Sequence, residues 1–187
     1  MHVSVRIALA ALLLSLGMTA LGESCDVAKE PVRSDAEQAY LAADYDKAAG
    51  LYRTELSGHS EDPALTAGLV QVLLCQQRVK DAEDAVTAAL AAHSNSAILL
   101  TARAEIELRD GRPWEAGQSV TAALKADPCL ARAHLILARV AGMSSYHASA
   151  RSEIQIARKL DSFDPDIWSE WIDTLPRRAR ADELEKY

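Results

Sequence analysis

The chain has 187 residues, with 20 Lys and Arg against 27 Asp and Glu, and a formal charge of −7 at pH 7. That acidic balance argues against nucleic acid or anionic membrane as the main partner, since both would repel it. With five Tyr, three Trp and one Phe, any core must be built mostly from Ala, Leu, Val and Ile.

At the N-terminus, Arg6 precedes an apolar run from Ile7 to Leu16, and Ala20-Leu21-Gly22 offers small residues for cleavage before Glu23. Residues 1–22 are therefore predicted to be a signal peptide, and the mature chain to be exported, periplasmic or secreted. Only about fifteen residues separate Arg6 from Glu23, short of the roughly 20 that a membrane span needs. No stable span is expected after cleavage. Lipid attachment at Cys25 is not expected either, because Gly22-Glu23-Ser24 puts a charge just before it. Loss of residues 1–22 removes Arg6 and no acid, so the charge moves from −7 to −8. Residues 23–31 are predicted to be a flexible segment.

The next 130 or so residues carry a repeat. Ala48, Ala82, Ala116 and Ala150 stand 34 residues apart. Four residues after each come Tyr52, Val86, Val120 and Ile154, and seven after each come Glu55, Ala89, Ala123 and Ala157. Twelve before each lie Ala36, Val70, Ala104 and Ala138. Offsets of four and seven put the downstream residues on one helical face. Small residues mark where two helices approach closely, and the larger apolar residues fill the space beside them. A period of 34 predicts stacked helical hairpins.

Turn chemistry separates the helices of each hairpin. The first has Ala43-Asp44-Tyr45-Asp46, and the third Asp110-Gly111-Arg112-Pro113, where Gly111 ends one helix and Pro113 opens the next. The second, Gln77-Arg78-Val79-Lys80, is a poorer turn, and the fourth has Met143-Ser144-Ser145-Tyr146. Between hairpins come Glu61-Asp62-Pro63, Ser94-Asn95-Ser96, Asp127-Pro128 and Asp164-Pro165, which suit helix starts. The four repeats are expected at about 32–62, 63–96, 97–130 and 131–162. Residues 163–187 then form a capping helix or the start of a fifth repeat. In that tail, Ile167, Trp168, Trp171, Ile172 and Leu175 make one apolar stripe. The loop Asp161 to Asp164 is expected to be about three residues longer than its counterparts.

The segments Ala43-Asp44-Tyr45-Asp46-Lys47-Ala48-Ala49 and Ala122-Ala123-Leu124-Lys125-Ala126-Asp127-Pro128 resemble the tetratricopeptide repeat family. The resemblance runs from Val32 to Ser162, and Trp171 is expected at the family's first-helix Trp position. It implies an all-α, right-handed superhelical solenoid of about four repeats. It also implies that the first helix of each hairpin lines a concave groove that binds protein or peptide. Carried over, the groove-facing residues are Arg33, Glu37 and Tyr40; Ala67, Gln71 and Leu74; Ile98, Thr101, Glu105 and Arg109; and Arg132, Leu135, Arg139 and Met143. Of these, Tyr40, Gln71, Glu105, Arg109, Arg132, Arg139 and Met143 are the candidate binding residues. Arginine suits bidentate carboxylate contacts, so an acidic peptide segment or chain terminus is the expected ligand. The alternative is that these arginines pair with neighbours such as Glu105 and Glu107, or stay solvated. The Lys and Asn clamp by which some such repeats hold chaperone termini is not present: Arg33, Glu37, Gly68, Ile98 and Ala102 stand in its places.

Signals for chemistry are weak. His59, His93, His134 and His147 form no His-x-x-x-His pair, and Cys129 with His134 is too sparse to hold a metal. No Gly-rich phosphate loop or Gly-x-Ser-x-Gly elbow occurs, and neither cofactor nor metal is expected. Export permits disulfides, but three cysteines leave one over. Cys75 and Cys129 sit too far apart in the stack to bond and are expected as small half-buried residues. The pairing of Cys25 is open.

The leader, the Ala-rich repeats and Asp164-Pro165-Asp166-Ile167-Trp168 through Thr174-Leu175-Pro176-Arg177 are also similar to the repeat region preceding a retropepsin-like aspartic protease in certain exported bacterial proteins. The Asp-Thr-Gly loop of such a protease is not found here, where Asp173-Thr174-Leu175 lacks the glycine. The expected function is a non-enzymatic, exported scaffold or adaptor, or alternatively the non-catalytic leading module of a larger exported protein. The alanine row gives a direct test of the repeat. Replacing Ala116 with Leu should overpack the seam and cost about 1–3 kcal/mol in urea unfolding.

Overall fold

The computed structural model describes residues 25–27, 29–59, 62–176 and 179–180, so the predicted leader, residues 1–22, lies outside the described part. Among the described residues there are nine full helices and no strand. They are α1 (Asp35–Leu41), α2 (Tyr45–Gly58), α3 (Pro63–Cys75), α4 (Val79–Ala92), α5 (Ala97–Arg109), α6 (Pro113–Ala126), α7 (Ala131–Met143), α8 (His147–Leu160) and α9 (Pro165–Thr174). Each predicted repeat contains one hairpin, α1–α2, α3–α4, α5–α6 or α7–α8, and α9 follows as the expected additional helix.

The helices begin where caps allow. Ser34 accepts from the Glu37 backbone N–H while the Glu37 carboxylate accepts from the Ser34 N–H, a reciprocal capping box at α1. Asp62, Ser96 and Asp164 accept from the free N–H groups opening α3, α5 and α9. Leu130 holds the same place before α7 and offers no side-chain cap.

The turn inside each hairpin is one backbone motif used four times. Ala43, Gln77, Gly111 and Ser145 all have left-handed φ, at 58°, 61°, 75° and 64°. At each, the N–H bonds three residues back and the next N–H five residues back, as in Ala43 to Tyr40 and Asp44 to Ala39. That pair of bonds satisfies two helix-end carbonyls. Gln77 thus makes the same turn as Gly111, although glycine alone adopts it without steric cost.

The predicted seams are buried. Ala48, Ala82 and Ala116 are fully enclosed, and the row Ala36, Val70, Ala104 and Ala138 is buried with them, as are Tyr52, Val86, Val120 and Ile154. Ala150 is half-exposed. Its cover is α9, which has 10 residues where α3, α5 and α7 each have 13, so the end of that seam is left open. The first helices touch one another along the stack, α3 to α5, α5 to α7 and α7 to α9. Such direct contacts are what puts these helices on the inside of the curve.

Two expectations need correction. Helix starts at Pro63, Ala97, Ala131 and Pro165 keep the 34-residue period, so the loop Asp161–Asp164 is no longer than Asp127–Leu130. In phase with Thr66, Leu100 and His134 stands Trp168, not Trp171. Trp168 donates its indole N–H to the Ser162 carbonyl, and the Arg158 guanidinium lies over both Trp168 and Trp171, 4.7 and 4.9 Å from their ring centroids. Cys129 is half-buried, as expected, and fills the pairing that was open for Cys25. It forms a disulfide with Cys25, with Cα atoms 5.4 Å apart, while Cys75 is free and half-buried. Periodicity could not show this, because Cys25 precedes the repeat.

The shared turn makes a signed prediction. Gly111→Ala should cost about 0.5–1 kcal/mol, the penalty of a Cβ in the left-handed region less the chain entropy that alanine saves. Ala43→Gly should instead gain about 0.5–1 kcal/mol, once glycine's greater chain entropy is deducted. Urea unfolding of both variants checks the pair of signs.

Candidate functional site

The inner helices bring five of the seven candidate residues, all but Glu105 and Arg109, to the walls of two cavities. The first, about 260 Å³, is lined by Tyr40 of α1, Gln71 of α3 and Arg132 of α7, with Pro31 and Arg33 before α1 and Asp161 to Asp166 at the α8–α9 junction. The two ends of the inner layer therefore meet across the groove, and the Arg33 guanidinium donates to the Phe163 carbonyl at 3.3 Å. The second cavity, about 650 Å³, is lined by Leu108, Arg139, Met143, Ala150, Arg151, Glu170 and Thr174 among others. Arg109 is exposed and lines neither, and Leu74, Thr101 and Leu135 are buried in the packing rather than facing the groove.

In the first cavity the charges are paired within the chain. The Arg132 guanidinium lies 3.0 Å from Glu105, 3.2 Å from Asp164 and 2.8 Å from Asp166. Its side chain is 16% exposed and that of Glu105 only 9%. Burial alone would lower the pKa of Arg132, but Glu105, Asp164 and Asp166 outweigh it and hold the guanidinium well above its usual range. Tyr40 sits beside this cluster. Burial first, then Asp166 and Cys75, push its phenol well above the ordinary value.

The second cavity is looser. Arg139 donates to Glu170 at 2.8 Å, with both side chains about a third exposed, and the Arg151 guanidinium donates to the Thr174 carbonyl at 3.2 Å. Met143 is 57% exposed. Two of the three expected groove arginines are thus paired within the chain. Arg132 takes Glu105, as the alternative reading allowed, whereas the buried Glu107 is held by Arg103 and by the Ser119 hydroxyl. Sequence reasoning missed Asp164, Asp166 and Glu170, because each lies about one repeat from the arginine it meets.

His134 is held by Glu153 at Nδ1 and faces the Pro128 carbonyl at Nε2, which uses both ring nitrogens structurally. Among the described residues no group of three or more His, Cys, Asp or Glu side chains is placed to hold a metal, and no helix is long and apolar enough to cross a membrane. Asp173 and Thr174 end α9, where Asp173 pairs with Arg180 and the Thr174 hydroxyl donates to the Trp171 carbonyl. That is helix-end geometry, not a catalytic loop.

The two arginines should respond differently to substitution. Arg132→Met strands buried Glu105 and should cost about 3 kcal/mol in urea unfolding. Arg139→Met breaks a partly exposed pair and should cost less than about 1 kcal/mol.

No protein-family model matches the chain, and no curated protein matches it either. Solved structures do. The thermophilic TPR protein TTC0263 of Thermus thermophilus superposes with a TM-score of 0.65 at 20% identity, over 79% of this chain and 81% of that one. The first TPR domain of human RPAP3 gives 0.52 at 15% identity, over 67% and 97%. A Naa15/Naa10 structure bound to HypK-THB gives 0.54 at 16% identity, over 81% of this chain and 22% of that one. With the 34-residue hairpin, the shared turn and the buried alanine row, these likenesses make the fold a tetratricopeptide-repeat solenoid.

Proposed function

We propose that the chain is an exported, non-enzymatic scaffold that holds an acidic peptide segment of a partner protein against its inner face. The observation that carries this reading is the 650 Å³ cavity of α5, α7, α8 and α9. There a half-buried guanidinium, Arg139, is paired among the described residues with only one carboxylate, the partly exposed Glu170. A peptide carboxylate can replace Glu170 at Arg139 with little reorganisation. Met143, unbranched and exposed, supplies an adaptable apolar contact beside it. The Arg132 cluster is a poorer anchor, because a ligand there must displace three carboxylates from a nearly buried site. The Naa15/Naa10 structure supports the general idea that a fold of this type holds a protein partner. A disulfide between Cys25 and Cys129 supports a compartment outside the reducing cytoplasm, in keeping with the leader at residues 1–22.

Selection of peptides from a random display library on residues 23–187 tests the binding reading. Selected peptides should be enriched in Asp or Glu. Arg139→Glu should weaken them by about tenfold or more, equivalent to about 1.4 kcal/mol. Glu170→Ala should strengthen them by freeing Arg139. Peptides without acidic enrichment, or binding indifferent to both substitutions, would contradict the proposal. N-terminal sequencing of the protein from whole cells tests export: the mature chain should begin at Glu23, and a retained Met1 would refute it.

A further inference from the structure

Junctions between successive hairpins can be compared position by position, 34 residues apart. Between the first and second, the Gln76 amide after α3 donates to Asp46 of α2 at 2.8 Å. Between the second and third, Arg112 reaches across to Glu83 of α4 and pairs with Asp110 at 2.7 Å, while Arg103 holds Glu107 at 3.0 Å. One period further on, every one of these charges is gone. Tyr146 stands for Arg112, Gly117 for Glu83, Ser144 for Asp110, Leu137 for Arg103 and Ala141 for Glu107. A groove of about 800 Å³ lies there instead, between α6 and α7. Trp114 and Tyr146 stand in its wall, 75% and 68% exposed. In the other hairpins the place of Trp114 is taken by Asp46, Lys80 and Ala148, so the repeat itself has no use for an aromatic side chain here.

From α6 the groove takes one helical face: Trp114, Gly117, Gln118, Thr121, Ala122 and Lys125, three or four residues apart at most steps. Lys125 is the one charged side chain among the described residues of the wall, so no carboxylate lines this groove in an otherwise acidic chain. Glu115 is exposed in the first turn of the same helix, and Lys125 lies in its last. We infer that this face is a dimer interface whose occupant is a second copy of the chain, the two α6 helices lying antiparallel and the Trp114 indole of each entering the groove of the other. The charges favour that occupant. A two-fold axis across the middle of α6, between Gln118 and Thr121, opposes the first turn of one helix to the last turn of the other. Glu115 of each copy then meets Lys125 of the other, and the two macrodipoles run in opposite directions. A parallel pair would set Glu115 against Glu115 and Lys125 against Lys125. The shape is self-complementary as well. One face carries both a protruding indole and a groove whose wall is cut back at Gly117, Ala122 and Ala141. Tryptophan and tyrosine are the side chains that most often anchor such interfaces. This does not rest on the acidic-peptide reading, whose site is the cavity of α5, α7, α8 and α9.

Sedimentation equilibrium of the mature chain tests the interface, with far-UV circular dichroism to check that each variant is folded. Trp114, Glu115 and Lys125 are all exposed, so their replacement leaves the core intact. The unaltered chain should be a dimer at micromolar concentration. Trp114→Lys, which supplies the residue found at this place in the second hairpin, should weaken the dimer by about thirtyfold or more. Lys125→Glu should weaken it severalfold, and adding Glu115→Lys to that variant should restore it. A chain that stays monomeric up to millimolar concentration overturns the proposal, whatever else the groove then proves to hold. A dimer indifferent to Trp114→Lys overturns it too, since the contact must then lie on another face. Failure of the charge exchange to rescue Lys125→Glu overturns the antiparallel pairing, and the proposal with it.

Discussion

Everything in this molecule depends on how closely two helices can approach at an alanine. Ala48, Ala82 and Ala116 are fully buried in the same clusters as Ala36, Val70 and Ala104, so the seams are lined by side chains no larger than a methyl or an isopropyl group. Close approach sets the angle within each hairpin, and repetition of that angle curves the stack. Ridges and grooves of larger side chains, Tyr52, Val86, Val120 and Ile154, then fix the register beside the seam. Core clusters overlap along the chain rather than gathering at one centre. Stability is accordingly a sum over neighbours.

The curve has an outcome that no single repeat contains. By the fourth hairpin the inner layer has turned far enough for the α8–α9 junction to face α1, so Arg33 reaches Phe163 across 130 positions of sequence. The groove between is consequently small and electrostatically satisfied. Arg132, whose charge would otherwise be costly to bury, is neutralised by carboxylates from α5 and α9 and from the loop before α9. The cluster ties three successive inner helices together, which makes it a structural node in the middle of the groove.

The parts of this fold legible in the sequence were those with a period. The alanine rows placed the seams, and the Asp, Ser and Pro between hairpins placed most helix starts. The turn at Gln77 looked poor because side-chain chemistry was the only clue to it, while the backbone accepts a positive φ there for the two hydrogen bonds it gains. The Asp161–Asp164 loop looked long because Trp171 was matched to the family's Trp. Counting one period on from Ala131 reaches Pro165 as the helix start, and one period on from His134 reaches Trp168. Apart from Glu105, which the sequence offered as a partner for the arginines, contacts set by curvature were invisible. The partners of Arg132 and Arg139 sit 27 to 34 positions away on other helices, and Cys25 meets Cys129 across 104 residues.

That last bond also divides the molecule mechanically. The covalent loop from Cys25 to Cys129 encloses α1 to α6, the first three hairpins, and leaves α7, α8 and α9 outside it. A pull applied between the two ends of the chain bypasses everything within the loop and loads only the fourth hairpin and the final helix. Under tension the oxidised protein would yield only between α7 and α9, with three hairpins shielded behind a single sulfur–sulfur bond.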